Sequence, residues 1–400
     1  MKRFMALLVA LGLFIAVPSF IYADADAEID ADADIYDEDE TFSYSGADRA
    51  EYPLIDNLVF ESQVPLNYAE GFDIYCYEGG YKYFRIYESR DYLLVPEGKE
   101  VPDILNSDAV ILRGPMDHLY MAASSVMALF RAIDALDMIR LSALNADSWY
   151  VEEAKTAMEN GDILFAGKYS EPDYELLIGE GCRAAIESTM ILHTPKVQEM
   201  IENLGIPVFI DRSGYETHPL GRAEWVKLYG AMTGHEEQAE AFFERQAETV
   251  EELADFKNTE KTVAFFFVDS QGAVVVRTLN DYVPQMIELA GGRYALGEFD
   301  FGDTRRSTEP ITMEDFYASA LDADYLVYNG TIDTPLGSKE ELLQKSPLFA
   351  DFKAYQEDNV WCTDSQIYQA SDSVSELIED FHVLVTDGDA GEMSFLKKLD

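Results

Sequence analysis

Three of the five histidines, His118, His193 and His218, fall where an apolar stretch gives way to an amphipathic one. In a chain that alternates strands with helices, that is the end of the sheet where ligands bind. With a carboxylate such as Glu187, three imidazoles would offer zinc or manganese a direct metal site. The same positions also suit plain polar capping residues, and His193, followed by Thr-Pro, sits in a segment that reads as a cap. His235 reads as a helix-start residue and His382 as part of a helix face. At the level of sequence the trio is either a divalent-metal site or the lip of a cleft.

Other chemistry is scarcer. Gly179-Glu-Gly181-Cys-Arg-Ala184 imitates a dinucleotide fingerprint, but it closes a helix and enters a strand, the reverse of the order the motif needs. Phosphate-loop, nucleophile-elbow, metalloprotease and calcium-loop signatures do not occur in the sequence. Carboxylates are so abundant that no acid/base pair stands out among them, so the reading is of a non-enzyme with no cofactor. Cys76, Cys182 and Cys362 are too scattered for a disulfide framework, although one pair could form.

The chain carries 76 acidic against 29 basic side chains, a net charge of −47. Residues 24–40 hold ten acidic groups and no basic one; without them and without Lys2 and Arg3, residues 41–400 still carry −39. Such a surface excludes nucleic acid as a partner, since that needs a basic stripe. Against this background clustered arginines stand out.

The elements that must position these groups follow from periodicity. Residues 1–25 have the form of an export signal, with Lys2 and Arg3 before an apolar run and Ala23-Asp24-Ala25 at a cleavage site. No cysteine lies near that site, so lipid attachment is not expected and the chain is placed outside the cytoplasm. Residues 26–50 read as an acidic disordered linker. Residues 51–107 form a β-rich segment with seven tyrosines from Tyr68 to Tyr92 and a hairpin turn at Glu78-Gly79-Gly80. The tyrosines are either a ligand platform or cross-strand pairs covering a sheet.

From 108 to 220 strand and helix alternate: "AVILRGP", a helix from His118 to Leu136, "MIRLSAL", "WYVEEAKTAMENG", "DILFAG", "SEPDYELLIGEG", "CRAAIES", a helix at 195–204 and "IPVFID". This rhythm implies a parallel sheet covered by helices. Residues 221–258 are a connecting helical region, and the rhythm restarts in 259–400. The expected fold is α/β, with two lobes joined by a single long helix, a cleft between them and an extra β-rich N-terminal segment. The halves share a layout, a hydroxyl cap with Asp three residues on (Ser170/Asp173; Thr312/Asp315) and then helix, turn and strand.

Six segments in register, "PDYELL…AAIEST", "PKVQEMIENLGIPVFID", "GHEEQAEAFFERQ", "YVPQMIELAGG", "ITMEDFYASALDADYLVY" and "SPLFADFKAYQEDNVWCTD", resemble the substrate-binding proteins of ABC importers for iron–siderophores, haem and cobalamin. The resemblance covers roughly 108–390 and leaves the tyrosine-rich segment and the acidic linker unexplained. It implies a monomeric exported protein that captures a metal chelate, a ferric siderophore first and haem or cobalamin after it, and delivers it to membrane permease subunits. Docking on the permease would fall to Glu175 in "PDYELL" and Glu314 in "ITMEDF", although an acid in a first helical turn also complements the helix dipole. The ligand would lie between the lobes. Trp149, Tyr169, Tyr215 and Tyr368 would offer it aromatic faces, Ser188, Met190 and His193 a hydroxyl, a thioether and an imidazole, and Arg222, Arg277, Arg305 and Arg306 forks for carboxylate or catecholate oxygens. The arginines would otherwise pair with local carboxylates, Arg222 with Glu224. Two further readings remain, a zinc or manganese binder using His118, His193 and His218, and an extracytoplasmic enzyme or adhesion protein working through the tyrosine-rich segment.

Overall fold

The computed structural model describes residues 51–400 apart from 104–107, 255, 389, 390 and 392. The expected export signal and acidic linker lie outside the described residues. The tyrosine-rich segment folds as a five-stranded sheet in the order β1 (Phe60–Gln63), β2 (Phe72–Tyr77), β3 (Tyr81–Ile86), β4 (Tyr92–Val95) and β5 (Val110–Arg113). The β2–β3 turn is made at Gly79 and Gly80, both at φ 84°. Tyr75 faces Tyr83 and Tyr77 faces Tyr81 across this hairpin, and all four rings are buried in a small core with Ile55, Leu93 and Val95. These tyrosines are therefore cross-strand packing. The opposite face, Phe72, Ile74, Phe84 and Ile86, enters the main core, where Phe72 meets Trp225 edge-on at 4.8 Å.

β5, which the sequence assigns to the first lobe, instead pairs in parallel with β4. The first lobe's sheet begins one strand later. Its order is β12 (Val208–Ile210), β11 (Ala185–Glu187), β6 (Leu119–Met121), β7 (Ile139–Ser142) and β8 (Leu164–Phe165), all parallel. A small hairpin, β9 (Gly167–Lys168) and β10 (Glu171–Pro172), follows β8. The helices are α1 (Ser124–Ala132), α2 (Glu152–Asn160), α3 (Tyr174–Gly179) and α4 (Pro195–Asn203). The helix expected over His118–Leu136 thus splits into a strand and the shorter α1. Leu119, Tyr120 and Met121 are buried on both faces, and a short apolar run of that kind has no period that separates strand from helix.

The connecting region is two helices, α5 (Pro219–Thr233) and α6 (Glu236–Ala254). Gly234 ends α5 in the left-handed conformation, φ 80°, and donates its N–H to Gly230 O at 2.8 Å. A Cβ on Gly230 would lie 2.6 Å from Ala239 Cβ, so the two helices meet where neither chain has room for a larger residue. In α5 every residue except Arg222 and Thr233 is buried, the signature of a helix with core on all sides. α6 buries Ala239, Phe242, Phe243 and Val250 along one stripe.

The second lobe's sheet runs β16 (Thr308–Ile311), β14 (Val274–Arg277), β13 (Thr262–Val268), β17 (Tyr325–Tyr328), β18 (Val360–Thr363) and β19 (Leu396–Lys398), with β15 (Arg293–Tyr294) also on β13. β13, β15, β17 and β18 are mutually parallel, whereas the pairings β13–β14, β14–β16 and β18–β19 are antiparallel. Helices α7 (Tyr282–Leu289), α8 (Met313–Ala320), α9 (Lys339–Lys345), α10 (Lys353–Gln356) and α11 (Val374–Val385) complete the lobe. All three cysteines are free. One continuous apolar core runs from the inner face of the first sheet through α1, α5 and α6 into the second lobe.

Candidate functional site

A cleft opens between the lobes and encloses about 1070 Å³ of empty space, open solvent included. Its walls come from the C-terminal ends of strands, where a parallel sheet leaves backbone groups and loops free to meet a ligand. β6 leads to Ser124 and Ser125, β11 to Ser188 and Thr189, β12 to Asp211 and Tyr215, β17 to Asn329 and Thr331, and β18 to Thr363. The last two strand ends are drawn together at Gly330. Its N–H is donated to Thr363 Oγ1 at 2.8 Å, and a Cβ there would stand 2.6 Å from Thr363 O.

Of the side chains singled out from the sequence, Ser188, Tyr215, Arg222, Arg277 and Tyr368 line this cleft. Arg222 projects from the first turn of α5, and its guanidinium stacks 3.8 Å from the ring centre of Tyr282, across the cleft on α7. Among the described residues it makes no ion pair, and Glu224 is engaged elsewhere. Arg277, at the end of β14, is buried and donates to Asp281 Oδ2 at 3.2 Å. Asp211 is the one carboxylate on the cleft wall among the described residues. It accepts from Tyr229 Oη at 2.5 Å and from Ser213 Oγ at 2.8 Å. Burial pushes its pKa up, opposed by those hydrogen bonds and by the field of Arg222. With Arg277 neutralised by Asp281, the Arg222 guanidinium and the desolvated Asp211 carboxylate are the charged groups left on the cleft wall among the described residues.

The other candidates lie elsewhere. Trp149 is buried in the first lobe and donates its indole N–H to Ser142 Oγ at 3.1 Å. Tyr169 packs against that lobe's outer core. Met190 is half-buried, His193 exposed, and both sit on the 3-10 turn Thr189–His193. Arg305 and Arg306 are exposed on the loop before β16. Residues that the sequence did not single out include Ser124 and Ser125, hidden by the overlong helix, and Tyr282, Asn329 and Thr331, which read as ordinary helix and strand ends. A turn signal, Asp269-Ser-Gln-Gly272 before "VVVR", marks the β13–β14 hairpin that carries Arg277.

The three histidines do not converge, and among the described residues no group of three His, Cys, Asp or Glu side chains could hold a metal ion. His118 Nδ1 lies 3.3 Å from Asp117. His218 caps α5, its Nδ1 accepting from Leu220 N at 3.1 Å while its ring packs 4.7 Å from Tyr68. Capping duty on a neutral ring accounts for its position.

Glu175 and Glu314 are exposed, each at the second position of its helix. The caps correct the sequence alignment of the halves. Asp173, rather than Ser170, caps α3 by accepting from Leu176 N at 3.0 Å, as Thr312 caps α8 by accepting from Asp315 N at 3.1 Å.

Two α/β lobes around a bridging helix pair, with a cleft at the strand ends, define the class of two-lobed binding proteins. Within that class, residues 186–367 match the family model described as periplasmic binding protein. Members of the family are extracytoplasmic and serve as the substrate-binding components of ABC importers. An uncharacterized lipoprotein of Methanocaldococcus jannaschii is 25% identical over 305 residues, 72% of this chain and 70% of that one. That name does not agree with the sequence expectation of no lipid attachment, for the first cysteine here is Cys76. A periplasmic haem-binding protein from Pseudomonas aeruginosa shares the fold at a TM-score of 0.53 and 16% identity, over 72% of this chain and 99% of that one. A protein of an ABC-type Fe3+-hydroxamate transport system from Saccharomonospora viridis shares it at 0.50 and 17%, over 71% and 96%.

Proposed function

We propose that the protein captures an anionic metal chelate, a ferric siderophore before others, between its lobes and delivers it to the permease of an ABC importer. The observation that carries this reading is Arg222, held against Tyr282 in the cleft with no ion pair among the described residues. A partly desolvated guanidinium that makes no direct ion pair among the described residues favours a ligand that brings carboxylate, hydroxamate or catecholate oxygens. The hydroxyls of Ser188, Thr189, Thr331 and Thr363 add neutral polar contacts around it. Haem is the second reading, favoured by the phenols of Tyr215 and Tyr368 on the cleft wall, since tyrosinate is one of the side chains that bind haem iron. Fold relatives described as haem-binding and Fe3+-hydroxamate transport proteins support both.

The test is a thermal-shift panel on the full chain with ferric trishydroxamate, ferric triscatecholate, haem, cobalamin and zinc, one at a time. A ligand at a hundred times its dissociation constant adds about 2.7 kcal/mol, enough to raise the midpoint by about 2–4 °C in a chain of this size. A shift with an iron chelate or haem supports the proposal and names the ligand. A shift with zinc or cobalamin alone overturns it.

A further inference from the structure

Beside the cleft, the segment after β18 crosses from the second lobe to the first and is tied there by one side chain. Gln369 is fully buried. Its Oε1 accepts the backbone N–H of Tyr150 at 2.8 Å, and its Nε2 donates to Ser148 O at 2.9 Å and to Tyr368 Oη at 2.7 Å. Ser148 and Tyr150 belong to the loop between β7 and α2 of the first lobe, 221 and 219 positions away in the chain. Two further contacts flank the tie. Tyr150 Oη lies 2.9 Å from Ser365 Oγ, and Arg131 of α1 donates its Nε to Asp372 Oδ2 at 2.9 Å.

The two backbone contacts fix which way the amide points. A carbonyl accepts only from a donor and Ser148 O accepts only, so Oε1 must face Tyr150 N–H and Nε2 must face Ser148 O. The Nε2 hydrogens are then divided between Ser148 O and Tyr368 Oη, so the phenol oxygen is the acceptor in that bond. The Tyr368 hydroxyl proton is turned away from Gln369, and Tyr368 lines the cleft. The amide that joins the lobes therefore also sets the hydroxyl orientation of a cleft residue.

We infer that Gln369 is a positioning residue that couples the cleft to lobe contact. It holds the Tyr368 hydroxyl as a hydrogen-bond donor toward the oxygens of a bound chelate, and it does so only while the loop 145–150 is docked. This deepens the reading given above and rests on it for the nature of the ligand, but the lobe tie stands without any ligand. A chelate that engages Tyr368 strengthens the tie, and a loop that undocks releases the phenol from its orientation.

The test uses the full chain, wild type, Q369A and Q369E, with two readouts. The first is residue-resolved amide exchange at Tyr150 without ligand. The second is titration with ferric trishydroxamate and with haem, read by quenching of tryptophan emission. Q369A is expected to speed exchange at Tyr150 at least tenfold and to weaken the chelate that binds wild type at least tenfold. In Q369E a protonated carboxyl can still accept from Tyr150 and donate once, whereas the carboxylate can only accept. Its binding is expected to approach wild type at pH 5 and to fall to the level of Q369A at pH 8, a dependence that loss of packing alone would not produce. Q369N with a wild-type circular dichroism spectrum stands in if Q369A does not fold. Unchanged exchange at Tyr150 in Q369A overturns the lobe tie. Faster exchange with unchanged affinity overturns the positioning of Tyr368. If neither probe binds wild type, the chelate reading fails, and with it the role toward a ligand, while the exchange result still decides the tie.

Discussion

Glu224, buried in the middle of α5, accepts the backbone N–H of Ala69 at 2.8 Å, across 155 positions of sequence. The same carboxylate accepts from Tyr68 at 2.8 Å and from Asn67 at 2.9 Å, and Glu216 accepts from Glu70 at 2.9 Å and Gly71 at 2.8 Å. Five consecutive donors of an irregular segment are thus satisfied by two carboxylates next to the bridging helix. This is how a sheet outside the stretch matched by the family model becomes part of the first lobe.

Glu224 also forms an ion pair with Lys227 at 3.3 Å, and both side chains are withdrawn from solvent. Lys227 keeps a second ion pair with Glu240 at 3.2 Å, so what Glu224 alone supplies is its acceptor oxygens, and each buried donor left without one costs about 1–3 kcal/mol. E224A, which orphans the N–H groups of Asn67, Tyr68 and Ala69, is expected to lose about 3 kcal/mol in urea unfolding, with the midpoint falling well below that of wild type. Loss under 1 kcal/mol would show that the first sheet is not held through this carboxylate.

If the cleft takes an anionic chelate as proposed, Arg222 sets its specificity. Hydrogen bonds to charged groups contribute about 1.5–3 kcal/mol, so R222M is expected to weaken an anionic chelate by about ten- to a hundredfold with little change in unfolding midpoint, because its head group has no ion pair among the described residues to lose. R222K should recover only part of this, since an ammonium cannot stack on Tyr282 and grip two oxygens at once. Isothermal titration at two ionic strengths decides it: equal affinity of R222M and wild type sinks the assignment.

How much of this was legible in the sequence depended on whether a feature is local. The helix stop at Gly161, the hairpin at Gly79-Gly80 and the amphipathic stripe of α6 are local, and the sequence shows them, whereas the break at Gly234 divides the expected single long helix into α5 and α6. The fate of β5 and the split at Leu119–Met121 depend on which sheet a strand joins, and that is decided by burial on both faces. The cleft was half legible. Ser188, Tyr215 and Tyr368 lie in polar stretches after strands, a pattern a sequence displays, whereas Arg222 sits in the first turn of α5 and Arg277 at the end of β14. Asp211 also lies in such a loop but was hidden among 76 carboxylates, and nothing in the sequence says that Tyr229 and Ser213 close over it. Trp149 misled because an aromatic in a loop looks the same whether it faces a ligand or Ser142.

His218 offers a pH test. Burial holds its pKa below the ordinary 6.5, against the raising field of Glu224. The neutral ring is the acceptor that caps α5. As pH falls, the unfolded chain takes up this proton first, so the contribution is fully present above about pH 6.5 and is lost as pH falls through the lower folded value. H218N keeps an acceptor at the cap and removes the titration. It is expected to match wild type at pH 7.5 within about 0.5 kcal/mol, while H218A loses about 1 kcal/mol there. Between pH 7 and pH 5 wild type should lose more stability than H218N, by urea unfolding in matched buffers. Parallel curves for the two would show that the ring does not titrate in this range.

Glu175 and Glu314 occupy the same place in the two lobes, two residues beyond caps that work in the same way. Both are exposed, and near a helix N-terminus each stabilises its own helix by about 0.3–1 kcal/mol. That modest local effect is all a purely structural role allows. If the pair instead meets basic side chains on a permease, E175K/E314K should leave chelate affinity within twofold of wild type while abolishing stimulation of the permease's ATP hydrolysis in liposomes. Each single variant should lose most of that stimulation, since a lobe that does not dock cannot be opened against its partner. Retained stimulation by the double variant, with its midpoint lowered only by the helix-dipole loss, would return both glutamates to the role of ordinary first-turn acids.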